Sequence, residues 1–210
     1  MSSLQIISET LMTGDEEQLK IVVQKALDAG IAAKDILHNG LIVGMDIVGE
    51  KMESGDMFIP EVLMAAQAMS TSIEILKSQL AEGDVGSTGK VLIGTVKGDL
   101  HDIGKNLVVM MMESAGFEVI DLGVDVEPEA FVKAIQKNKP HIVGLSALLT
   151  TTMPMMKKSI DCITEAGLRG SLKILVGGAP VNKSFADEIG ADGYAPDAGA
   201  ACKMAKAMFA

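Results

Sequence analysis

The sequence predicts an α/β protein in which an N-terminal four-helix bundle precedes a doubly wound, five-stranded parallel sheet. Three observations predict it. Apolar residues over the first eighty positions recur three and four apart, which is helical spacing. After Lys90 short β-rich runs alternate with helical segments, the pattern of a parallel sheet covered on both faces. Between the two lies "AEGDVGSTGK", where Gly83, Gly86, Ser87 and Gly89 are linker residues. The expected organisation is a helical domain over 1–82, a linker over 83–89 and a sheet domain over 90–210.

The elements follow in order. A short helix near Leu4 to Leu11 opens the chain. In "TGDEEQLKIVVQKALDAG", Thr13 is an N-cap candidate with Glu16 three residues on, the spacing of a capping box. Leu19, Val22, Val23, Ala26 and Leu27 share one face, and Gly30 is the stop. "AAKDILHNGLIVGMDIVGEKMESG" repeats the pattern with Ile36, Leu37, Leu41, Val43, Ile47 and Val48. Pro60 suits the first turn of a fourth helix, "PEVLMAAQAMSTSIEILKSQL". Short connections make these helices a small bundle. The strands are "VLIGTV", "FEVIDLG", "HIVGLSA", "LKILVGG" and a weaker "DGYA". Helices over Asn106 to Ser114, Pro128 to Lys137, Met153 to Ala166, Lys183 to Ile189 and Ala198 to Met208 separate and follow them. Five strands in this alternation suggest the flavodoxin-like, Rossmann-like order. Ligands of such sheets bind beyond the carboxyl ends of the strands, at the switch point.

Composition narrows the function. Hydrophobic residues are 48% of the chain, enough for a sizeable core. The net charge of −10, with no basic run, argues against nucleic acid and anionic lipid as partners. No apolar stretch is long enough to span a membrane, and the start lacks the features of a signal peptide. Cys162 and Cys202 stand apart without metal spacing, so a cytoplasmic location is the simplest expectation. The 15 methionines read first as adaptable core filler.

The loops after strands one, three and four therefore carry the functional reading. They contain "KGDLHDIG", "SALLTTTM" and "GGAPV". His101 can ligate a metal through one ring nitrogen, and Asp99 can hold the proton on the other. Ser146, Thr150 and Thr152 offer hydroxyls that could orient Asp99 or bind a polar ligand. Gly177 and Gly178 remove side chains where something bulky must approach. Each has a plain structural use when taken alone: Asp102 caps the next helix, the hydroxyls cap theirs, and the glycines make a tight turn. Together they converge where this fold binds ligands. A bare zinc ion needs about four ligands, and neither His38 nor His141 lies in these loops. A single axial histidine suits a metal already held by a macrocycle.

"DLHDIG" matches the D-x-H-x-x-G motif of cobalamin-binding domains. "SALLTTT" resembles their S-x-L segment, and Gly177–Gly178 their third element. The helical half resembles the cap module that precedes the cobalamin domain of cobalamin-dependent methionine synthase. Over essentially its whole length the chain resembles the corrinoid proteins of the methanol, methylamine, glycine betaine and O-demethylation methyltransferase systems.

The resemblance implies a cofactor, cobalamin or a related corrinoid, that alternates between cob(I)alamin and methylcob(III)alamin in one-carbon metabolism. It implies His101 as the axial cobalt ligand, Asp99 as its hydrogen-bond partner and Thr152 as the hydroxyl behind Asp99. Gly98, Leu100, Asp102, Ile103 and Gly104 would line the loop under the corrin. Ser146, Leu148 and Thr150 would meet the nucleotide tail, and Gly177 and Gly178 would make room for it. Met45, Met52 and Ile59 recur every seven residues. Met52 and Ile59 match cap positions that shield the methyl group, although Met52 stands where methionine synthase has an aromatic residue. The same residues also read as bundle core.

The implied partners are a substrate-specific methyltransferase, an acceptor methyltransferase working on tetrahydrofolate or a thiol, and a reductive activation protein. The chain itself would be a non-catalytic carrier. Three other readings compete. A cobalamin-dependent regulator would carry a basic DNA-binding domain, which is absent from this sequence. The cobalamin subunit of a mutase generally lacks the helical cap. A flavodoxin-like nucleotide binder leaves the pairing of Asp99 with His101 unexplained.

Overall fold

The computed structural model describes residues 2–76, 79 and 89–209. They divide into two compact units, Met1–Ser87 with Glu113–Gly116, and Thr88–Met112 with Phe117–Ala210. Residues 83–88 of the expected linker lie outside the described residues, and Gly89 already opens the first strand.

The first unit is a bundle of α1 (Ser3–Met12), α2 (Glu16–Asp28), a rod made of α3 (Ala33–Ile36) and α4 (Val43–Ser54), and α5 (Ile59–Leu76). Ile7, Leu11, Leu19, Val23, Ile36, Leu41, Val48, Val62 and Leu76 form its fully buried core, as their helical spacing requires. Two local features depart from the sequence reading. Thr13 does not cap α2. It ends α1 instead, its hydroxyl donating to the Thr10 carbonyl at 2.7 Å. Asp15, two residues after the expected cap, is the N-cap of α2, accepting from the Gln18 N–H at 2.9 Å, and Gly14 makes the turn between the helices at φ +67°. A capping box does occur, but on α1, between Ser2 and Gln5.

The second departure is a π-helical stretch, Leu37–Ile42, between α3 and α4. The wider turn shifts the backbone register by one hydrogen bond. Ser8 of α1 donates its hydroxyl to the Gly40 carbonyl there at 2.7 Å, so the irregularity is satisfied from a neighbouring helix.

The second unit is the expected sheet. It comprises β1 (Gly89–Thr95), β2 (Phe117–Asp121), β3 (Ile142–Ser146), β4 (Lys173–Gly177) and β5 (Gly193–Ala195), all parallel, in the order β2-β1-β3-β4-β5. The connecting helices are α6 (Ile103–Ser114), α7 (Pro128–Asn138), α8 (Met153–Glu165) and α9 (Lys183–Ile189), and α10 (Ala198–Ala207) closes the chain. Alternation assigns the faces. Leu92, Val143, Leu145, Ile174 and Val176 join Phe131, Ile135, Met156, Ile160 and Ile163 in one buried cluster. The switch point lies between β1 and β3, where chain direction away from the strands reverses.

At the opposite end of the sheet Phe209 packs edge-on against Phe117 and His141, with centroids 5.7 and 4.9 Å apart. There His141 Nδ1 accepts from the Lys90 N–H at 3.1 Å. This histidine is structural and remote from the switch point. No helix among the described residues is long and apolar enough to cross a membrane.

Candidate functional site

β1 ends in Thr95, and the loop from Val96 to Asp102 carries the histidine across the switch point to the start of α6. The next strand over, β3, sends its loop alongside: Ser146, last in β3, accepts at its carbonyl from the Val96 N–H at 3.0 Å. Asp99 sits between the two loops and is completely buried. A buried carboxylate is tolerable only when hydrogen bonds replace its hydration, and Asp99 is surrounded by them. Oδ2 accepts from the Thr152 hydroxyl at 2.7 Å and from the Leu148 and Leu149 N–H groups at 2.8 and 3.2 Å. Oδ1 accepts from the His101 N–H at 3.1 Å and meets His101 Nδ1 at 2.7 Å.

Burial alone drives the Asp99 carboxyl towards protonation. The Thr152 hydroxyl, the His101 ring and the backbone donors together outweigh it and hold the group well below the usual carboxylate range. Asp99 is therefore ionised near neutral pH, and as an acceptor it places the proton of His101 on Nδ1. Nε2 is left as the ring nitrogen with a lone pair, and the imidazole is half exposed. The Thr152 hydroxyl also lies 2.9 Å from the Leu149 carbonyl. Its one proton favours the nearer, charged acceptor. Thr152 precedes α8 without capping it, so its side chain is kept for Asp99.

Around the imidazole the surface is apolar. Leu100 is 71% exposed and Ile103 81%, and Leu148 and Leu149 are exposed as well. Single exposed apolar residues need no account, but these four belong to the two loops that meet at Asp99. Gly104 opens onto space, with nothing within 4 Å of where a Cβ would stand. A macrocycle already carrying a metal fits this arrangement: one half-exposed ring nitrogen oriented from behind by a buried carboxylate, with exposed apolar side chains in the same loops. Among the described residues no three His, Cys, Asp or Glu side chains converge on a common point that could hold a bare ion.

The other expected residues fall as follows. Gly98 takes φ +82° and starts the turn into Asp99. Asp102 precedes α6 and accepts at its carbonyl from the Asn106 N–H at 2.7 Å, while its carboxylate receives the Asn106 side-chain amide at 3.2 Å. Ser146 ends β3 and Thr150 is exposed in the following loop. Leu148 supports Asp99 through its backbone. Gly177 ends β4, and Gly178 has φ +128° with its would-be Cβ only 1.9 Å from the Ala147 carbonyl oxygen. The close approach of two loop backbones thus requires glycine at 178. Met52 is half-buried and Ile59 exposed in the helical unit, whereas Met45 is core.

Sequence reading missed three residues of this network. Thr95, fully buried, donates its hydroxyl to the His101 carbonyl at 3.0 Å. Leu149 is the second backbone donor to Oδ2. Asp125, in the loop after β2, bonds to Gly98 and Asp99. The available signal was topological: β2 borders β1, so its loop also reaches the site.

Comparison with known proteins agrees with this geometry. The family description "B12 binding domain" matches twice, over residues 4–77 and 89–203. A corrinoid protein from Desulfitobacterium hafniense (strain Y51) is 43% identical over 214 residues, spanning 100% of this chain and 98% of its own. Trimethylamine corrinoid protein 2 from Methanosarcina acetivorans is 44% identical over 197 residues, 93% of this chain and 91% of its own. A crystal structure of a cobalamin-binding protein from Desulfitobacterium hafniense DCB-2 superposes with a TM-score of 0.85 at 34% identity, covering 98% of both chains. The methanol:cobalamin methyltransferase complex MtaBC from Methanosarcina barkeri contains a chain with the same TM-score and identity, covering 99% of this chain and 79% of that one.

Proposed function

The chain belongs to the corrinoid proteins built on the B12 binding domain, and from that membership we propose that it carries a methyl group between two methyltransferases. The observation that supports this most directly is the half-exposed His101 imidazole, anchored through Nδ1 on the buried Asp99 carboxylate, in loops that also expose Leu100, Ile103, Leu148 and Leu149. Bound there, cobalamin or a related corrinoid would supply the methyl-transfer chemistry of its cobalt.

The residues of the chain do the rest. His101 would hold the cobalt through Nε2. Asp99 keeps the Nδ1 proton in place, and by doing so fixes the tautomer and the plane of the ring. Thr152, Leu148 and Leu149 hold the second oxygen so that Asp99 cannot swing with the ring. Gly98, Leu100, Asp102, Ile103 and Gly104 would line the loop under the corrin. Ser146, Leu148 and Thr150 would meet the nucleotide tail, and Gly177 and Gly178 would make room for it. For the helical unit, residues 1–82, we assign a protective role in which Met52 and Ile59 shield the methyl group.

The donor side is a substrate-specific methyltransferase, as the pairing in the MtaBC complex suggests. An acceptor methyltransferase and a reductive activation protein complete the cycle, in the cytoplasm. Neither Cys162 nor Cys202 forms a disulfide, in keeping with a reducing compartment. Protein labelled with 15N-histidine and loaded with cob(II)alamin tests the assignment. The paramagnetic resonance spectrum should show the two-line splitting of one 15N nucleus in place of the three-line 14N pattern, and His101→Ala should abolish it. A three-line pattern in labelled protein would mean that the cofactor's own base, not His101, is on cobalt.

A further inference from the structure

We infer that Asp125 is a positioning residue for the cobalt-ligand loop, acting on His101 through Gly98 and Asp99. The inference rests on His101 as the axial ligand.

Asp125 lies in the loop after β2, outside every segment that the motif defines. Its carboxylate Oδ1 accepts from the Gly98 N–H at 2.8 Å. Its own N–H donates to the Asp99 carbonyl at 3.0 Å. Its Oδ2 lies 3.2 Å from Lys97 Nζ. One residue therefore grips three consecutive residues, Lys97, Gly98 and Asp99, just before the histidine. The following residue continues the attachment: the Val126 N–H donates to the Thr95 carbonyl at 3.0 Å, and Val126 forms a parallel bridge with Val96.

The backbone of Asp125 is unusual in a way this function explains. Only Asp125 and Lys139 among the described non-glycine residues have positive φ, 56° and 49°. Lys139 ends α7 in the left-handed conformation common at helix C-termini. Asp125 ends no helix. Its left-handed turn is what lets N–H and carboxylate point at the same stretch of chain, and aspartate tolerates that conformation better than most residues. Gly98 is left-handed too, at φ +82°, so a donor N–H and an acceptor carbonyl are both presented towards Asp125.

The consequence is a relay of position. Asp125 fixes the Gly98–Asp99 backbone, Asp99 fixes Nδ1 of His101, and Nε2 is aimed at cobalt. A loop released at Gly98 would keep Asp99 bonded to Thr152 but lose the register that brings the imidazole up to the metal.

The test compares Asp125→Gly, which accommodates positive φ and removes the carboxylate, with Asp125→Asn, which keeps an acceptor for the Gly98 N–H and loses the charge. Both are read by the 15N-histidine splitting of bound cob(II)alamin in the full chain, beside wild type and His101→Ala. Asp125→Gly should bind cobalamin but show the two-line species in less than half the fraction seen in wild type, and Asp125→Asn should restore most of it. The inference is overturned if Asp125→Gly retains the wild-type fraction, if Asp125→Asn fails to recover it, or if Asp125→Gly no longer binds cobalamin at all. Absence of the two-line splitting in wild type would instead refute His101 as ligand, separating the two claims.

Discussion

The hydroxyl of Thr152 stands 2.7 Å from Oδ2 of Asp99, on the side of the carboxylate turned away from the histidine. The two oxygens divide the work. Oδ2 is held by three donors of the β3–α8 segment, and Oδ1 is left for the ring and backbone of His101. An imidazole anchored only through Nδ1 keeps its place best when the carboxylate that anchors it is itself fixed by other donors.

Thr152→Val removes that donor at nearly constant volume. A hydrogen bond to a charged group contributes about 1.5–3 kcal/mol, so the urea unfolding free energy of the cofactor-free protein should fall by roughly that amount. Thr152→Ser keeps the hydroxyl and should lose only about 1 kcal/mol, for the missing methyl. A loss in Thr152→Ser with none in Thr152→Val would show that the methyl packing, not the bond to Asp99, is what Thr152 supplies.

Asp99 predicts the acid limb of the stability curve. Its folded pKa lies below the ordinary value because the hydrogen bonds outweigh burial. An acid of this kind contributes stability that is fully present above its unfolded pKa, about 3.9, and that is lost as pH falls below it. The unfolding free energies of wild type and Asp99→Asn should therefore differ by a constant amount from pH 7 to pH 5. The gap should then close by up to about 1.4 kcal/mol per pH unit below pH 4. A gap unchanged down to pH 3 would mean that Asp99 is not held in its charged form.

The sheet was legible because its strands and helices have different periods, and because "DLHDIG" places two functional side chains at a strand end. What was not legible was carried by the backbone. The Leu148, Leu149 and Gly98 N–H groups are donors that any residue but proline supplies, so their roles leave no mark in residue type. Thr95 reads as the polar end of an apolar strand until its hydroxyl is seen on the His101 carbonyl. In the bundle, Asp15 displaced Thr13 as N-cap because α1 runs on to Met12, and two plausible caps two residues apart cannot be ranked by type alone. The π-helical turn at Leu37–Ile42 depends on Ser8 from another helix, which local periodicity does not contain.

Gly178 and Gly104 differ in what a side chain at each would meet. A Cβ at 178 would stand 1.9 Å from the Ala147 oxygen at a φ of +128°. Gly178→Ala should thus destabilise the cofactor-free protein by about 2 kcal/mol or more, from strain and overpacking. At 104, inside α6, a Cβ meets nothing, and Gly104→Ala should be neutral or stabilising by up to about 1 kcal/mol without cofactor. If Gly104 lines the loop under the corrin as proposed, the same variant should weaken cobalamin binding, since the added methyl occupies space that is open in the cofactor-free protein. Unaltered affinity in Gly104→Ala would remove Gly104 from the corrin contact surface.

The heptad-spaced Met45, Met52 and Ile59 allow the protective role of the helical unit to be tested without truncation. Met45 is 3% exposed and belongs to the bundle core, Met52 is half-buried, and Ile59 is 47% exposed. Met45→Ala should lower unfolding stability by about 2–5 kcal/mol, the cost of a cavity in a packed interior. Ile59→Ala, at a surface position, should cost about 0.5 kcal/mol or less. The order reverses if Met52 and Ile59 shield the methyl group. Light splits methylcobalamin into a radical pair, and side chains that close off the upper face favour recombination over escape. Net photolysis of the bound cofactor should then be faster in Met52→Ala and in Ile59→Ala than in wild type, and fastest in the double variant, while Met45→Ala photolyses at the wild-type rate under conditions where it is folded. Photolysis that tracks the loss of stability, fastest in Met45→Ala and unchanged in Ile59→Ala, would mean that the bundle does not shield the methyl group, and its exposed Phe58, Ile59 and Met64 would have to serve another contact.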